Sequence, residues 1–162
     1  MLFGIPPHLP SELLHVLARL GHGDELVLVD TNYPFHSDAA STRHGRAIEL
    51  PGRDLPQALA DILALLPIDT FVDDPLLAMA VPGEDPPVPG VHREMSRVLE
   101  AVPGAPWMLG TLERFAFYER ARRAAIIVRT AERRPYGNII VTTGVIAPDG
   151  ELMTPARAAA GD

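Results

Sequence analysis

The 162-residue chain contains no cysteine. Disulfides, thiol nucleophiles and every cysteine-bearing zinc site are therefore excluded. Lysine is absent too, since all 14 cationic side chains are arginine. A lysine Schiff base, a pyridoxal-phosphate anchor and the phosphate-binding lysine of a Walker loop are excluded with it. Arginine's planar fork remains available for sugar hydroxyls, carboxylates or phosphates. Long apolar runs are missing: LLAMAV at 76–81 and AAIIV at 124–128 fall well short of the roughly 20 residues needed to cross a bilayer. The opening MLFGIPPHLPSE has no basic stretch and carries three prolines, unlike a secretory leader. These absences predict a cytoplasmic protein with no membrane contact. A basic surface is also lacking. The net charge of −7 argues against a nucleic-acid partner, whose binding depends on counterion release by a basic face.

What is present suits one domain with a real core, at 47% hydrophobic composition. SELLHVLARL at 11–20 has apolar residues at helical spacing, with Ser11 as cap and Gly21 as stop. LVLV at 26–29 reads as a strand buried on both faces and ended by Asp30. Residues 31–46 read as a long polar loop. A strand at 47–50 precedes a helix over 54–66, where Asp54 and Gln57 have capping-box spacing and Pro56 suits the first turn. Strands are expected near 69–72, 76–81, 107–110, 124–130 and 138–144, and helices over 91–102 and 113–123. PGEDPPVPG at 82–90 cannot be regular structure. The alternation predicts an α/β fold, a central sheet packed with helices. The small, polar segment 147–162 is expected to be a loosely attached tail.

Three clusters carry chemistry. His22 sits between two glycines in GHGDE, and a histidine gives and accepts protons near neutrality. A surface histidine after a helix end is the plainer alternative. Asp30 stands at a strand's carboxyl end, where ligands gather in open α/β sheets, or else caps a turn. In ERFAFYERA, Arg114 and Tyr118 are spaced i, i+4 on one helix face, while Phe115 and Phe117 suit core or interface packing. In RPYGNII, a turn accounts for Gly137 and Asn138, but not for a tyrosine presented there as Tyr136.

Other chemistries lack their motifs. His8, His15, His22, His36, His44 and His92 form no HExxH pair, so no metal site is expected. Neither GxGxxG nor GxSxG occurs. Asp73–Asp74 and Glu84–Asp85 read as solvated loop charges. Acid/base chemistry by His, Asp and Tyr in a polar pocket is what remains.

PSELLHVLARLGHGDELVLVDTNYPFHS resembles the N-terminal signature of the RbsD/FucU family of D-ribose pyranases and L-fucose mutarotases. ERFAFYERA and RPYGNIIVTTGV resemble its C-terminal signature, on the fucose side. The resemblance runs over residues 1–146 and leaves 147–162 uncovered. It implies an RbsD-like fold, a ring-like homo-oligomer of the decamer type, and interconversion of monosaccharide anomers without a cofactor. It assigns acid/base work to His22, the pocket carboxylate to Asp30, and the C-terminal tyrosine and asparagine to Tyr136 and Asn138. Tyr118 and Arg114 join them as sugar-binding residues. His22 is expected to be one proton carrier and Tyr136 or Tyr118 the other, with Asp30 either orienting His22 or holding a sugar hydroxyl. Two other classes remain beside this one: a sugar-binding or transport-accessory protein of the same fold, and a structural oligomer.

Overall fold

The computed structural model describes residues 2–83, 86–104 and 106–161, so the Glu84–Asp85 pair lies outside the described residues. Among the described residues, β1 (Glu25–Val29), β2 (Ile48–Leu50), β3 (Leu76–Met79), β4 (Gly110–Leu112), β5 (Ile126–Thr130) and β6 (Ile139–Thr142) form one mixed sheet. Its order is β2-β5-β1-β6-β3-β4. The helices are α1 (Ser11–Leu17), α2 (Phe35–Ala39), α3 (Leu55–Leu63), α4 (Gly90–Leu99), α5 (Arg114–Arg123) and α6 (Pro155–Ala160). β1 pairs parallel with β5, β5 with β2, and β3 with β4. β6 runs antiparallel to both of its neighbours, β1 and β3. The carboxyl ends of β1 and β3 therefore meet the amino end of β6.

The LVLV run is fully buried because helices cover both faces of the sheet. Leu26 and Leu28 point into the larger core, with Leu13 of α1, Leu59 and Ile62 of α3 and Met95 of α4. Val27 and Val29 point the other way, onto Phe35 of α2 and Phe117 and Ala121 of α5. The period-2 alternation of a strand thus divides one apolar run between two cores. Each large buried side chain contributes about 1.5–3 kcal/mol.

Helix starts follow local chemistry. Asp54 accepts from the Gln57 backbone at 3.0 Å while its own N–H donates to Gln57 Oε1 at 3.3 Å, the expected capping box. α1 differs from expectation: Pro10 occupies the cap position with no side-chain bond, Ser11 is already helical, and the helix ends at Leu17. The expected strand at 69–72 does not form. Only Ile68 bridges to Thr143, because Asp69 Oδ1 accepts from the Phe71 backbone at 2.9 Å and bends the chain away. The long loop contains α2, and the strand expected at 107–110 begins only at Gly110. Beyond Ile146 the chain folds back: Met153 N–H donates to the Val145 carbonyl and Thr70 Oγ1 to the Met153 carbonyl. Thr154 then caps α6. None of these helices is long and apolar enough to cross a membrane.

Gly144 shows how tightly β6 leaves the sheet. A Cβ there would stand 2.4 Å from the Ile68 carbonyl oxygen, a backbone atom that cannot swing aside. Gly144→Ala is expected to lower the unfolding free energy by about 1–3 kcal/mol, the usual cost of overpacking, as read by urea titration. An unchanged midpoint would show that the chain relaxes there freely.

Candidate active site

Asp30 follows β1 directly and Asn138 directly precedes β6, so the antiparallel pairing of these strands sets the two side by side. They bond reciprocally. The Asp30 N–H donates to Asn138 Oδ1 at 3.0 Å, and Asn138 Nδ2 donates to Asp30 Oδ2 at 3.0 Å. The Asn32 N–H donates to Asp30 Oδ1 at 2.8 Å. Asp30 is only 2% exposed. Burial raises its carboxyl above the ordinary carboxylate range, and the donors from Asn32, Asn138 and Gly137 restrain that rise without cancelling it.

Tyr136 is the one non-glycine among the described residues with positive φ, at +63°. For a tyrosine this left-handed geometry costs about 1–3 kcal/mol and persists only where its surroundings over-determine it. They do so here. A Cβ on Gly137 would lie 2.6 Å from Glu132 Cγ and 3.2 Å from the Arg134 carbonyl, so this position admits only glycine. Buried Glu132 receives both the backbone N–H and the guanidinium of Arg134, which also forks onto Glu94 of α4 at 2.7 and 2.9 Å. Burial pushes Glu132 up, but these Arg134 bonds outweigh it and hold the carboxyl below its usual range. On the other side, His92 Nε2 lies 2.9 Å from the Tyr136 carbonyl.

Arg114 and Tyr118 reach the same place from the first turns of α5, whose amino end is capped by Glu113 Oε2 accepting from Phe115 and Ala116. Tyr118 meets Tyr33 edge to face at 5.3 Å, and the Arg114 guanidinium lies 4.7 Å over the Phe115 ring. The aromatic pair divides: Phe117 is fully buried, whereas Phe115 is 66% exposed. Asp30, Met79, Arg114, Tyr118, Tyr136 and Asn138 line a cavity of about 180 Å³. That is below the range typical of drug-sized ligands and suits a small polar one. A larger cavity of about 600 Å³ lies between α1 and the 43–46 segment. It has no aromatic wall and no strained turn, so its size does not outweigh the chemistry gathered at Asp30.

Five of the six expected site residues therefore converge, and His22 stands apart. Gly21–Asp24 is a tight turn closed by the Asp24 N–H on the Gly21 carbonyl, with Gly23 at φ +79° in the position of a type II turn that favours glycine. Asp24 also accepts from the Gly21 N–H, and Arg43 pairs with it. This turn opens β1, while Asp30 closes it. Five strand residues at roughly 3.3 Å each place the two groups about 16 Å apart. Within one chain Asp30 therefore does not orient His22. Asp69 does: its Oδ2 lies 3.1 Å from His22 Nε2, and Phe71 meets the imidazole edge to face at 5.6 Å. Asp69 is 1% exposed while the His22 side chain is 51% exposed, an anchored base presenting an open imidazole. Sequence reasoning passed over Asp69 by placing it at the head of a strand. The available signal was a carboxylate in an apolar setting, which needs a partner. Among the described residues no group of three or more potential ligands could hold a metal ion.

The RbsD / FucU transport protein family matches residues 3–146. An L-fucose mutarotase of Actinobacillus pleuropneumoniae serotype 5b is 43% identical over 146 residues, which cover 90% of this chain and 97% of that protein. A fucose mutarotase of Bos taurus is 40% identical over 151 residues, covering 91% and 96%. The crystal structure of the fucose mutarotase of Streptococcus pneumoniae in complex with L-fucose superposes with a TM-score of 0.81 at 36% identity, covering 90% of this chain and all of the other.

Because burial raises Asp30, its sign runs opposite to that of Glu132. A carboxyl with a raised folded pKa contributes stability below its unfolded value and loses it as pH rises through the folded one. A ¹³C carboxyl titration should place the Asp30 midpoint above the usual value near 3.9. Asn138→Leu should push it further up and cost about 1–3 kcal/mol by stranding the Asp30 N–H and carboxylate. A midpoint at or below the ordinary value would refute the desolvated reading.

Proposed function

The chain belongs to the RbsD / FucU family, and from that premise we propose that it interconverts the α and β anomers of a free monosaccharide, L-fucose, with D-ribose the second choice. The observation that carries this is the convergence of Asp30, Arg114, Tyr118, Tyr136 and Asn138 on one small cavity. The relatives named fucose mutarotases support the reaction and the sugar.

Mutarotation needs little apparatus. The anomeric O–H loses its proton, the bond from the anomeric carbon to the ring oxygen breaks, and the ring oxygen takes up a proton. The aldehyde turns about its bond to the neighbouring carbon, and closure on the other face reverses both transfers. Two proton carriers and hydroxyl-binding groups suffice, and general acid/base catalysis contributes about 10²- to 10⁴-fold. In this reading Tyr136 is one carrier at the cavity and His22, oriented by Asp69, is the other. Asp30 accepts from a sugar hydroxyl, Asn138 and Arg114 bind hydroxyl oxygens, and Tyr118 walls the ring.

The strand separating His22 from Asp30 supports a reading in which the two carriers of one site come from different copies. The protein accordingly works as a homo-oligomer, a ring of the decamer type, in which His22 of one copy faces the cavity of the next. It acts in the cytoplasm on free sugar.

Saturation-transfer NMR on L-fucose and D-ribose tests the activity. Wild type should accelerate exchange, faster on L-fucose, and His22→Ala should lower it by about 10²-fold or more. Saturable sugar binding without acceleration would replace the enzyme with a binding protein. Co-refolding His22→Ala with Tyr136→Phe in equal amounts tests the shared site. Recovery of about a quarter of the wild-type rate is expected, the chance that neighbouring copies in a ring carry both intact groups. No recovery would return both carriers to a single chain.

A further inference from the structure

We propose that His92 is a positioning residue that sets the direction of the Tyr136 hydroxyl through the Tyr136 backbone carbonyl; the proposal rests on Tyr136 being a proton carrier. His92 occupies the first turn of α4 and is 4% exposed. The chemistry described so far makes no use of it, yet a buried imidazole needs a reason for its polar atoms. Its Nε2 lies 2.9 Å from the Tyr136 carbonyl oxygen. A carbonyl only accepts, so Nε2 carries the proton and the ring is in the Nε2–H tautomer.

That contact falls on the most strained backbone unit of the site. Tyr136 alone among the non-glycine described residues has a left-handed φ. In that region a small rotation of the peptide redirects the whole side chain. The turn is held on its far side by Glu132 and Arg134, and Arg134 is in turn gripped by Glu94. His92 and Glu94 both belong to α4. One helix thus holds the turn at two points, by an imidazole on the carbonyl of Tyr136 and a carboxylate fork on the guanidinium of Arg134. The carbonyl contact acts on Tyr136 itself, so it fixes the hydroxyl's direction, whereas the fork fixes the turn as a whole. Burial depresses the His92 pKa, so the ring stays neutral and keeps this tautomer around neutral pH.

The test pairs His92→Phe, which keeps a ring but removes the donor, with His92→Gln, which restores an N–H. Both are assayed for kcat and KM by anomer exchange on L-fucose, alone and in a Tyr136→Phe background. His92→Phe should lower kcat about ten- to a hundredfold, as a misplaced catalytic group does, with KM changed less than about twofold, and His92→Gln should recover most of the loss. In the Tyr136→Phe background the His92 substitution should have no further effect, since a residue acting through another is silent once that other is gone. Equal losses in both backgrounds, or full kcat in His92→Phe, would overturn the proposal. If Tyr136→Phe alone retains wild-type kcat, Tyr136 is no proton carrier, and the assignment beneath the proposal falls with it. The wild-type protein supplies an independent reading should His92→Phe not fold. Histidine ¹⁵N shifts should show His92 in the Nε2–H form, and an Nδ1–H ring would rule the contact out.

Discussion

The reciprocal bond between Asp30 and Asn138 is the constraint on which the site depends. A carboxylate taken almost wholly out of water is tolerable only if donors surround it. Here they come from the residue that opens β6 and from the chain just after β1. This arrangement exists because β6 alone runs against the five other strands. Were β6 parallel to β1, Asn138 would lie at the far end of the sheet, and Asp30 would be buried without its amide partner. The topology therefore has a chemical consequence: it turns the amino end of one strand into the wall of a cavity built at the carboxyl ends of others.

From that bond the strain in the neighbouring turn follows. With Asn138 fixed against Asp30, the chain must enter β6 past Glu132, and the space left over admits no side chain at position 137. The turn can then be completed only with Tyr136 in a left-handed conformation. The Arg134 fork on Glu132 and Glu94 offsets that cost. The tyrosine that turn chemistry alone could not explain is held at the cavity by a chain of contacts that begins at Asp30.

Much of this was legible in the sequence where local rules decide. LVLV flanked by turn residues gave a doubly buried strand, Asp54 and Gln57 gave a capping box, and the i, i+4 spacing of Arg114 and Tyr118 gave a shared face that lines the cavity. What was not legible is non-local. Strand order and the reversal of β6 depend on crossovers, which leave no mark on the residues of the strands themselves. Asp69 was hidden because its partner is 47 positions away, and an apolar run interrupted by one carboxylate looks like a strand with a blemish. α2 and the folded-back 147–153 segment were missed because they are short and stabilised by tertiary contacts more than by propensity. Of the two roles expected for Asp30, orienting His22 treated nearness in sequence as nearness in space, and a strand is the element for which that inference fails worst.

That separation gives the groupings at the two ends of β1 different physical characters. Around Asp30 the carboxylate and amide are buried and bonded to each other, and the strained, half-buried tyrosine is fixed beside them, as suits recognition of a small ring bearing several hydroxyls. At His22 the anchored partner is Asp69, while the imidazole itself stands half in solvent. An open imidazole on a rigid glycine turn, held by Asp24, Arg43 and the Thr143 carbonyl, has its direction set before anything approaches it. In the proposed arrangement the copy that completes the site brings a pre-oriented proton carrier to a pre-formed cavity, and little reorganisation is left for the encounter with sugar. For a reaction that water already carries out slowly, such pre-organisation of two weak groups is sufficient catalysis. In that proposed arrangement activity is contingent on assembly, because each end of β1 then supplies only part of a site.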